Sequence, residues 1–421
     1  MSNAGDETDS WMRVSMNIDW WLTGICLSRT FSQAITMTYA AALPVLLQEW
    51  GMSAVKAGVI SSGFQIGYAI SLLIMSILAD RIGARILYLW SMFAGTVFSL
   101  GFALFARDYL SALILYTLVA LSLGGSYTTG LMLLAGRYPV ETRGKATGFF
   151  IASSSLGYVL SLALSGITIP FGGYKLSFLV TGLASVLGWV LSWIALARTR
   201  ISEVKHEEEQ SFKREVLANR PARLLIMAYI FHCWELLGMW AWAPAFLASC
   251  LAFKGVEGLG ATGLGSYVAA AFHGAGLFAS FYMGSLSDRL GRARVILAAS
   301  GVSALCSFVF GWSIGWPFAV VIFIGLLYAF SALGDSPVLS VALTEVVSHS
   351  YLGAAFGFRS LLGFGAGAIS PVVFGAVLDW TNPHTPSGGY YLSWGWAFIT
   401  LGFPGLGAVW AAHRLGKIQR S

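Results

Sequence analysis

The sequence predicts an all-α integral membrane protein built as two similar bundles of six helices, and three observations predict it. Hydrophobic residues make up 57% of the 421 and charged residues only 10%, with a mean hydropathy of +0.73. That is more apolar surface than one water-soluble core can hide. Windows apolar enough and long enough to cross about 30 Å of hydrocarbon recur along the chain, and twelve can be counted. The chain also repeats itself: S-I-L-A-D-R-I-G-A-R-I-L from Ser76 to Leu87 returns as G-S-L-S-D-R-L-G-R-A-R-V-I-L from Gly284 to Leu297. Asp80, Arg81 and Gly83 reappear as Asp288, Arg289 and Gly291, displaced by 208, and Gly144 and Gly148 return as Gly353 and Gly357, displaced by 209. Two echoes at nearly one spacing indicate an internal duplication.

In chain order, residues 1–19 are polar and carry Asp6, Glu7 and Asp9, unlike the basic head of a cleavable signal, so they read as a tail before a retained helix. Spans follow at 20–47, 54–79, 86–106, 109–134, 146–167 and 176–196, giving an N-terminal bundle over 20–197. A charged stretch at 198–223, with three successive glutamates from Glu207, reads as the linker between halves. The second bundle, 224–412, holds spans at 224–250, 264–286, 295–312, 317–346, 356–378 and 391–411, and 413–421 form a short tail. With the N-terminus inside, only Lys56, Arg107, Lys175 and Lys254 fall on the far side, and the other basic loop residues fall on the near side. Both termini are therefore expected in the cytoplasm, the chain being multi-pass in the cell membrane. The net charge of +6 comes from these loops, so it reports topology and gives no reason to invoke nucleic acid. Cys26, Cys233, Cys250 and Cys306 lie in or beside spans with no metal-ligand spacing, and no cofactor or metal is expected.

The G-x-x-x-D-R-x-G-x-R pattern between the second and third helix of each half resembles the signature loop of the major facilitator superfamily of secondary transporters. The second copy has Gly284, Asp288, Arg289 and Gly291, with Arg292 and Arg294 either side of the pattern's last position, whereas the first has Ser76 where glycine is usual. The resemblance implies the major facilitator fold, rocking of two six-helix bundles, and a single chain working alone. Glycine there suits a tight turn and the arginines suit the headgroup side. An aspartate can bond a neighbouring helix N-terminus or an arginine such as Arg143 or Arg359. Asp80, Arg81, Arg143, Asp288 and Arg289 are thus the candidate conformational latch.

Ionisable groups inside spans cost about 2.5 to 3.5 kcal/mol each on insertion scales, so each needs a reason. Four qualify: Arg29, Glu235, Asp335 and Arg359. At about 1.5 Å of rise per residue all four reach similar depth near the bilayer midplane, where transporters of this class hold substrate. Arg29 and Arg359 are candidate anion ligands, because a guanidinium stays charged and forks onto carboxylate or phosphate. An arginine midway along the first helix is similar to the organophosphate and organic-anion branches of the superfamily. The alternative for Arg29 is an ion pair with Glu235 or Asp335 between the halves. Glu235 and Asp335 are candidate proton carriers, with His232 on the same helical face as Glu235 to share its proton or hold it. Asp335 and Arg359, on consecutive helices, are expected to pair directly. Gln33, Tyr39, Tyr127 and Trp234 complete the candidate substrate lining.

The fifth span lacks the glycine-proline pattern that resembles the antiporter signature of drug exporters. Together these features predict proton-coupled uptake of a small organic anion, a monocarboxylate, by alternating access. The rivals are an anion exchanger and an exporter of cationic or amphipathic compounds. No nucleotide loop, serine elbow or clustered metal ligands suggest an enzyme.

Overall fold

A computed structural model describes residues 19–197, 213–256, 258–348, 351–383 and 390–418, apart from the side chains of Asp80, Val140, Glu141, Lys213 and Arg214. Everything regular in it is helical. The first crossing is α1 (Trp20–Ser32), a tight 3-10 turn (Gln33–Ile35) and α2 (Thr38–Glu49). Asp19 caps α1, one carboxylate oxygen accepting from the N–H groups of Trp21 and Leu22 at 3.1 Å each, as an N-terminal dipole favours. Then come α3 (Ala54–Ile82), α4 (Ala84–Phe105) and α5 (Tyr109–Arg137).

The next helical segment, α6, runs Val140–Leu196. As one rod it would be roughly 85 Å long, far beyond a bilayer. Gly172 and Gly173 break it: φ of +61° at Gly173 is left-handed backbone that no other residue tolerates cheaply, and the chain turns back there as two limbs. The second half supplies α7 (Arg220–Ala252), α8 (Gly258–Leu290), α9 (Arg292–Phe310), α10 (Phe318–Thr344), α11 (Leu352–Thr381) and α12 (Gly395–Ile418). With α6 counted as two crossings and α1 with α2 as one, the described residues make the twelve that the hydropathy predicts.

Most helix ends differ from the expected bounds by a few residues, as at α6, α8 and α11, and two of the shifts have a visible cause. α7 starts at Arg220, before the expected residue 224, because the Asn219 side chain accepts from Ala222 N–H at 3.2 Å and proline follows in the first turn. α12 continues to Ile418, through most of the expected tail, with Lys417 in a last turn whose carbonyls favour cations. Of the expected linker, 198–212 lie outside the described residues, as does the tail before Asp19.

The duplication is visible in the backbone. Gly83 and Gly291, the glycines of the two Asp-Arg-x-Gly loops, share φ of +92° with ψ of 135° and 142°. In the first half α5 packs on α3 and α4, and in the second half α10 packs on α8 and α9; α1 lies on α6 as α7 lies on α12. The halves meet along α3 with α11 and α6 with α8.

That meeting is tight on the side opposite the described termini. A Cβ on Gly58 would lie 2.3 Å from the Pro371 carbonyl oxygen, one on Gly375 2.4 Å from that of Ala54, and one on Gly166 2.9 Å from that of Gly263. Backbones this close depend on small residues. Ser62 donates across to the Ala368 carbonyl and Ser266 to that of Ala41. Asp379, at the end of α11, caps α3 of the other half: its two oxygens accept from Ala54 and Val55 N–H at 2.9 Å each, and the Tyr391 hydroxyl donates to the first at 3.0 Å. Asp379→Ala removes two charge-assisted acceptors from the start of α3, each worth about 1.5 to 3 kcal/mol. Amide hydrogen exchange at residues 54–57 should accelerate about tenfold to a hundredfold, with Asp379→Asn falling between.

Candidate functional site

Each half delivers one arginine to the middle of the molecule. Arg29, on α1 just before the 3-10 turn, is 1% exposed. Its Nε donates to Ser154 Oγ at 2.6 Å, and its guanidinium carbon lies 4.6 Å from the ring centre of Phe150 and 5.0 Å from that of Tyr127. Nη1 is buried without a partner. Arg359, on α11, is 6% exposed, donates from Nη1 to Ser340 Oγ at 3.1 Å, and sits 3.9 Å over Tyr229 and 4.7 Å over Phe356. Its Nε is buried without a partner. Among the described residues neither guanidinium lies within ion-pair distance of a carboxylate. Ring faces return about 0.5 to 2 kcal/mol per cation, less than the several kcal/mol that desolvating an ion costs. Two positive charges therefore stand under-compensated. Tyr68, Tyr127 and Tyr158 lie within electrostatic range of Arg29, and Tyr229 within range of both Arg359 and Tyr127, so the two cradles adjoin.

The expected pair of Asp335 with Arg359 does not form. Asp335 Oδ1 instead lies 2.8 Å from His232 Nδ1, both groups buried, without the alignment of a hydrogen bond. His232 thus accompanies Asp335 rather than Glu235. Glu235 pairs with neither arginine: its Oε1 accepts from Ser303 at 2.7 Å and Ser307 at 2.6 Å, and Ser307 Oγ lies 2.6 Å from the Tyr328 hydroxyl. The alternative of an inter-half ion pair for Arg29 fails with it.

Of the neutral lining candidates, Tyr127 touches an arginine. Tyr39 is packed at 1% exposure with its hydroxyl on the Ala57 carbonyl at 3.1 Å and its ring 5.4 Å from Tyr116. Gln33 accepts from Thr36 at 2.6 Å, with its Nε2 buried and unpartnered. Trp234 donates to the Thr400 carbonyl of α12 at 3.0 Å. Tyr39 and Trp234 are thus held in helix contacts, while Gln33, one turn after Arg29, packs beside Gly157. Phe150, Tyr229, Ser340, Ser303 and Ser307 were not singled out in the sequence, where rings and hydroxyls on apolar helices carry no mark; the four-residue spacing of Ser303 and Ser307 is the one signal.

Around the Asp-Arg-x-Gly loops, Asp288 pairs with Arg292 at 2.6 Å and Arg292 with Glu345 at 2.9 Å, joining α8, α9 and α10. Neither Arg143 nor Arg359 is within ion-pair distance of Asp288, and Arg143 Nε donates to the Tyr138 carbonyl in its own turn at 3.2 Å; a pair with Asp80 lies outside the described residues. Arg81 and Arg289 are exposed, and the Asp80 side chain lies outside the described residues. On this side nothing lies within 4 Å of a Cβ built on Gly144, Gly148, Gly353 or Gly357. Among the described residues these glycines meet no neighbour, whereas close backbone contacts shut the space between the halves at the other end.

A twelve-crossing bundle of two alike halves, with buried charges at their junction, is the architecture of a membrane carrier. Residues 25–272 match the Major Facilitator Superfamily, and the chain belongs to that family of transporters. It is a transporter and no enzyme. It is 24% identical over 379 residues to a hexuronate transporter of Bacillus subtilis, covering 85% of this chain and 86% of that one. It is 23% identical over 395 residues to a niacin transporter of Acinetobacter baylyi, covering 84% and 85%. The solved structure of a bacterial homologue of the human lysosomal transporter Spinster, inward-facing and unoccupied, superposes with a TM-score of 0.75 over 94% of this chain and 97% of that one, at 14% identity. At that identity the likeness is one of fold.

The double variant Ser303→Ala, Ser307→Ala leaves the Glu235 carboxylate buried without its donors, at about 1.5 to 3 kcal/mol for each lost bond. The thermal unfolding midpoint in detergent should fall, and adding Glu235→Gln should restore part of the loss.

Proposed function

We propose that this chain takes up a small organic anion, a monocarboxylate, together with a proton, by alternating access in the cell membrane. The observation that carries this reading is the pair of buried guanidinia, one from each half, each with an unpartnered N–H and no carboxylate beside it. An anion held between Arg29 and Arg359 would satisfy both and would pull the halves together over itself. The relatives named for hexuronate and niacin carry carboxylates.

Charge balance supplies the coupling. Arg29, Arg359, Glu235 and Asp335 are balanced when the site is empty, so an incoming anion adds one negative charge. A proton on Glu235, or on Asp335 with His232, offsets it. Asp288, Arg292 and Glu345 tie helix ends on the open side and would rearrange as that side closes, with Asp80, Arg81, Arg143 and Arg289 in the same loops. The excess of lysine and arginine on the side of the termini supports a cytoplasmic location for that side, so a chamber opening there would face inward. One chain carries both halves of the site, and a monomer suffices.

In proteoliposomes, Arg29→Gln and Arg359→Gln should each lower kcat/KM for labelled glucuronate or nicotinate about tenfold to a hundredfold, the worth of one or two charged hydrogen bonds. Arg29→Lys should also fail, because an ammonium cannot reproduce the fork. An imposed inward-directed proton gradient should drive accumulation in the unaltered protein and not in Asp335→Asn or Glu235→Gln. Accumulation indifferent to that gradient would replace the symport reading with exchange.

A further inference from the structure

The chamber's closed end is floored by aromatic rings contributed by both halves. Tyr158 lies one turn beyond Ser154 on α6, about 6 Å deeper than the partner of Arg29. It meets Trp240 of α7 edge-on at 5.3 Å and His273 of α8 at 5.8 Å, and Trp240 and His273 are 4.9 Å apart. Across the same junction Tyr68 of α3 meets Phe364 of α11 at 5.3 Å. Beyond these rings come the backbone contacts of Gly166 with Gly263 and of Ser62 with Ala368 that shut the space. An anion on the arginines therefore lies with Tyr127, Phe150 and Tyr229 around its charge and this floor beneath.

Such walls discriminate. A sugar acid offers several hydroxyls, each needing a partner once dry, and a site built for hydroxyls supplies amides and carboxylates to meet them. Here Ser154 and Ser340 accept from Arg29 and Arg359 and the Gln33 carbonyl from Thr36, which leaves the Gln33 amide and phenols carried on rings as the polar groups nearby. Rings give area and edge contacts to a flat apolar body. In the aromatic floor itself, Trp240 Nε1 is buried without an acceptor.

We infer that the cargo is a planar aromatic carboxylate bearing a hydrogen-bond acceptor on its ring, with Tyr158 and Trp240 as specificity-determining residues. This rests on the anion reading above and narrows it. The ring packs on Tyr158 and Trp240 while the carboxylate forks onto Arg29 or Arg359, and a ring nitrogen or hydroxyl takes the Trp240 N–H.

Isothermal titration of the full-length protein in detergent, with benzoate, nicotinate, glucuronate and benzamide as probes, tests it. Benzoate and nicotinate should bind, nicotinate tighter, with glucuronate and benzamide at least tenfold weaker. Tyr158→Leu should weaken both aromatic acids at least tenfold while Tyr158→Phe retains them, which separates lost ring contact from lost folding. Trp240→Phe should remove the advantage of nicotinate over benzoate. Glucuronate binding as tightly as nicotinate, with benzamide still rejected, overturns the aromatic cargo and leaves the anion reading intact. Benzamide binding as tightly as benzoate sinks the anion reading as well.

Discussion

Two guanidinium ions held inside a helical bundle with no carboxylate against them are the constraint around which this structure turns. Burial costs an ion several kcal/mol, and a serine hydroxyl and two ring faces apiece recover only part of that. In the mechanism proposed above, the remainder comes from the ligand. On the proposed reading, shutting the chamber dry around two bare cations is what the carrier avoids. An anion between them removes the penalty and lets closure proceed, so that cargo and conformational change are coupled by desolvation.

The shut end obeys a different physics. There the halves touch through backbone: carbonyls of Pro371, Ala54 and Gly263 occupy the places where side chains would begin, and Asp379 caps a helix of the opposite half. Contacts of this kind are short-ranged and break together when the surfaces separate, unlike a long flexible ion pair that stretches. Rings from both sides, Tyr158 on Trp240 and Tyr68 on Phe364, mark the level where this dry seam gives way to the polar chamber. The site is thus bounded on that side by close packing.

Much of this was legible in the sequence because the bilayer is a ruler. Hydrocarbon thickness fixes span length, and helix rise converts residue counts into depth, which is how Arg29, Glu235, Asp335 and Arg359 were marked out. Depth is only one coordinate. Each residue along a helix also rotates its side chain by about 100°, and sequence gives no angle between neighbouring helices. Asp335 and Arg359 sit at comparable depth on consecutive helices and still turn apart, one to His232 and the other to Ser340 and Tyr229. Serines escaped notice for another reason: on a membrane helix their hydroxyls commonly bond their own backbone, as Ser300 does to Ile296, and only a four-residue spacing sets apart Ser303 and Ser307, which hold Glu235.

The duplication explains where symmetry was kept and where it was lost. A displacement of 209, which carries Gly144 and Gly148 onto Gly353 and Gly357, carries Phe150 onto Arg359. The helix that offers a ring to Arg29 in the first half offers a guanidinium to a ring in the second. Backbone geometry, including the repeated φ of +92° at Gly83 and Gly291, could be copied because rocking needs two alike bodies. On the proposed reading side-chain chemistry had to diverge, since one cargo would lie across the junction and cannot be symmetric. Both buried carboxylates, Glu235 and Asp335, ended in the second half. On the proposed mechanism, anion capture is then shared between the halves while proton handling belongs to one of them, so a proton can arrive without disturbing the seam that the first half must reopen.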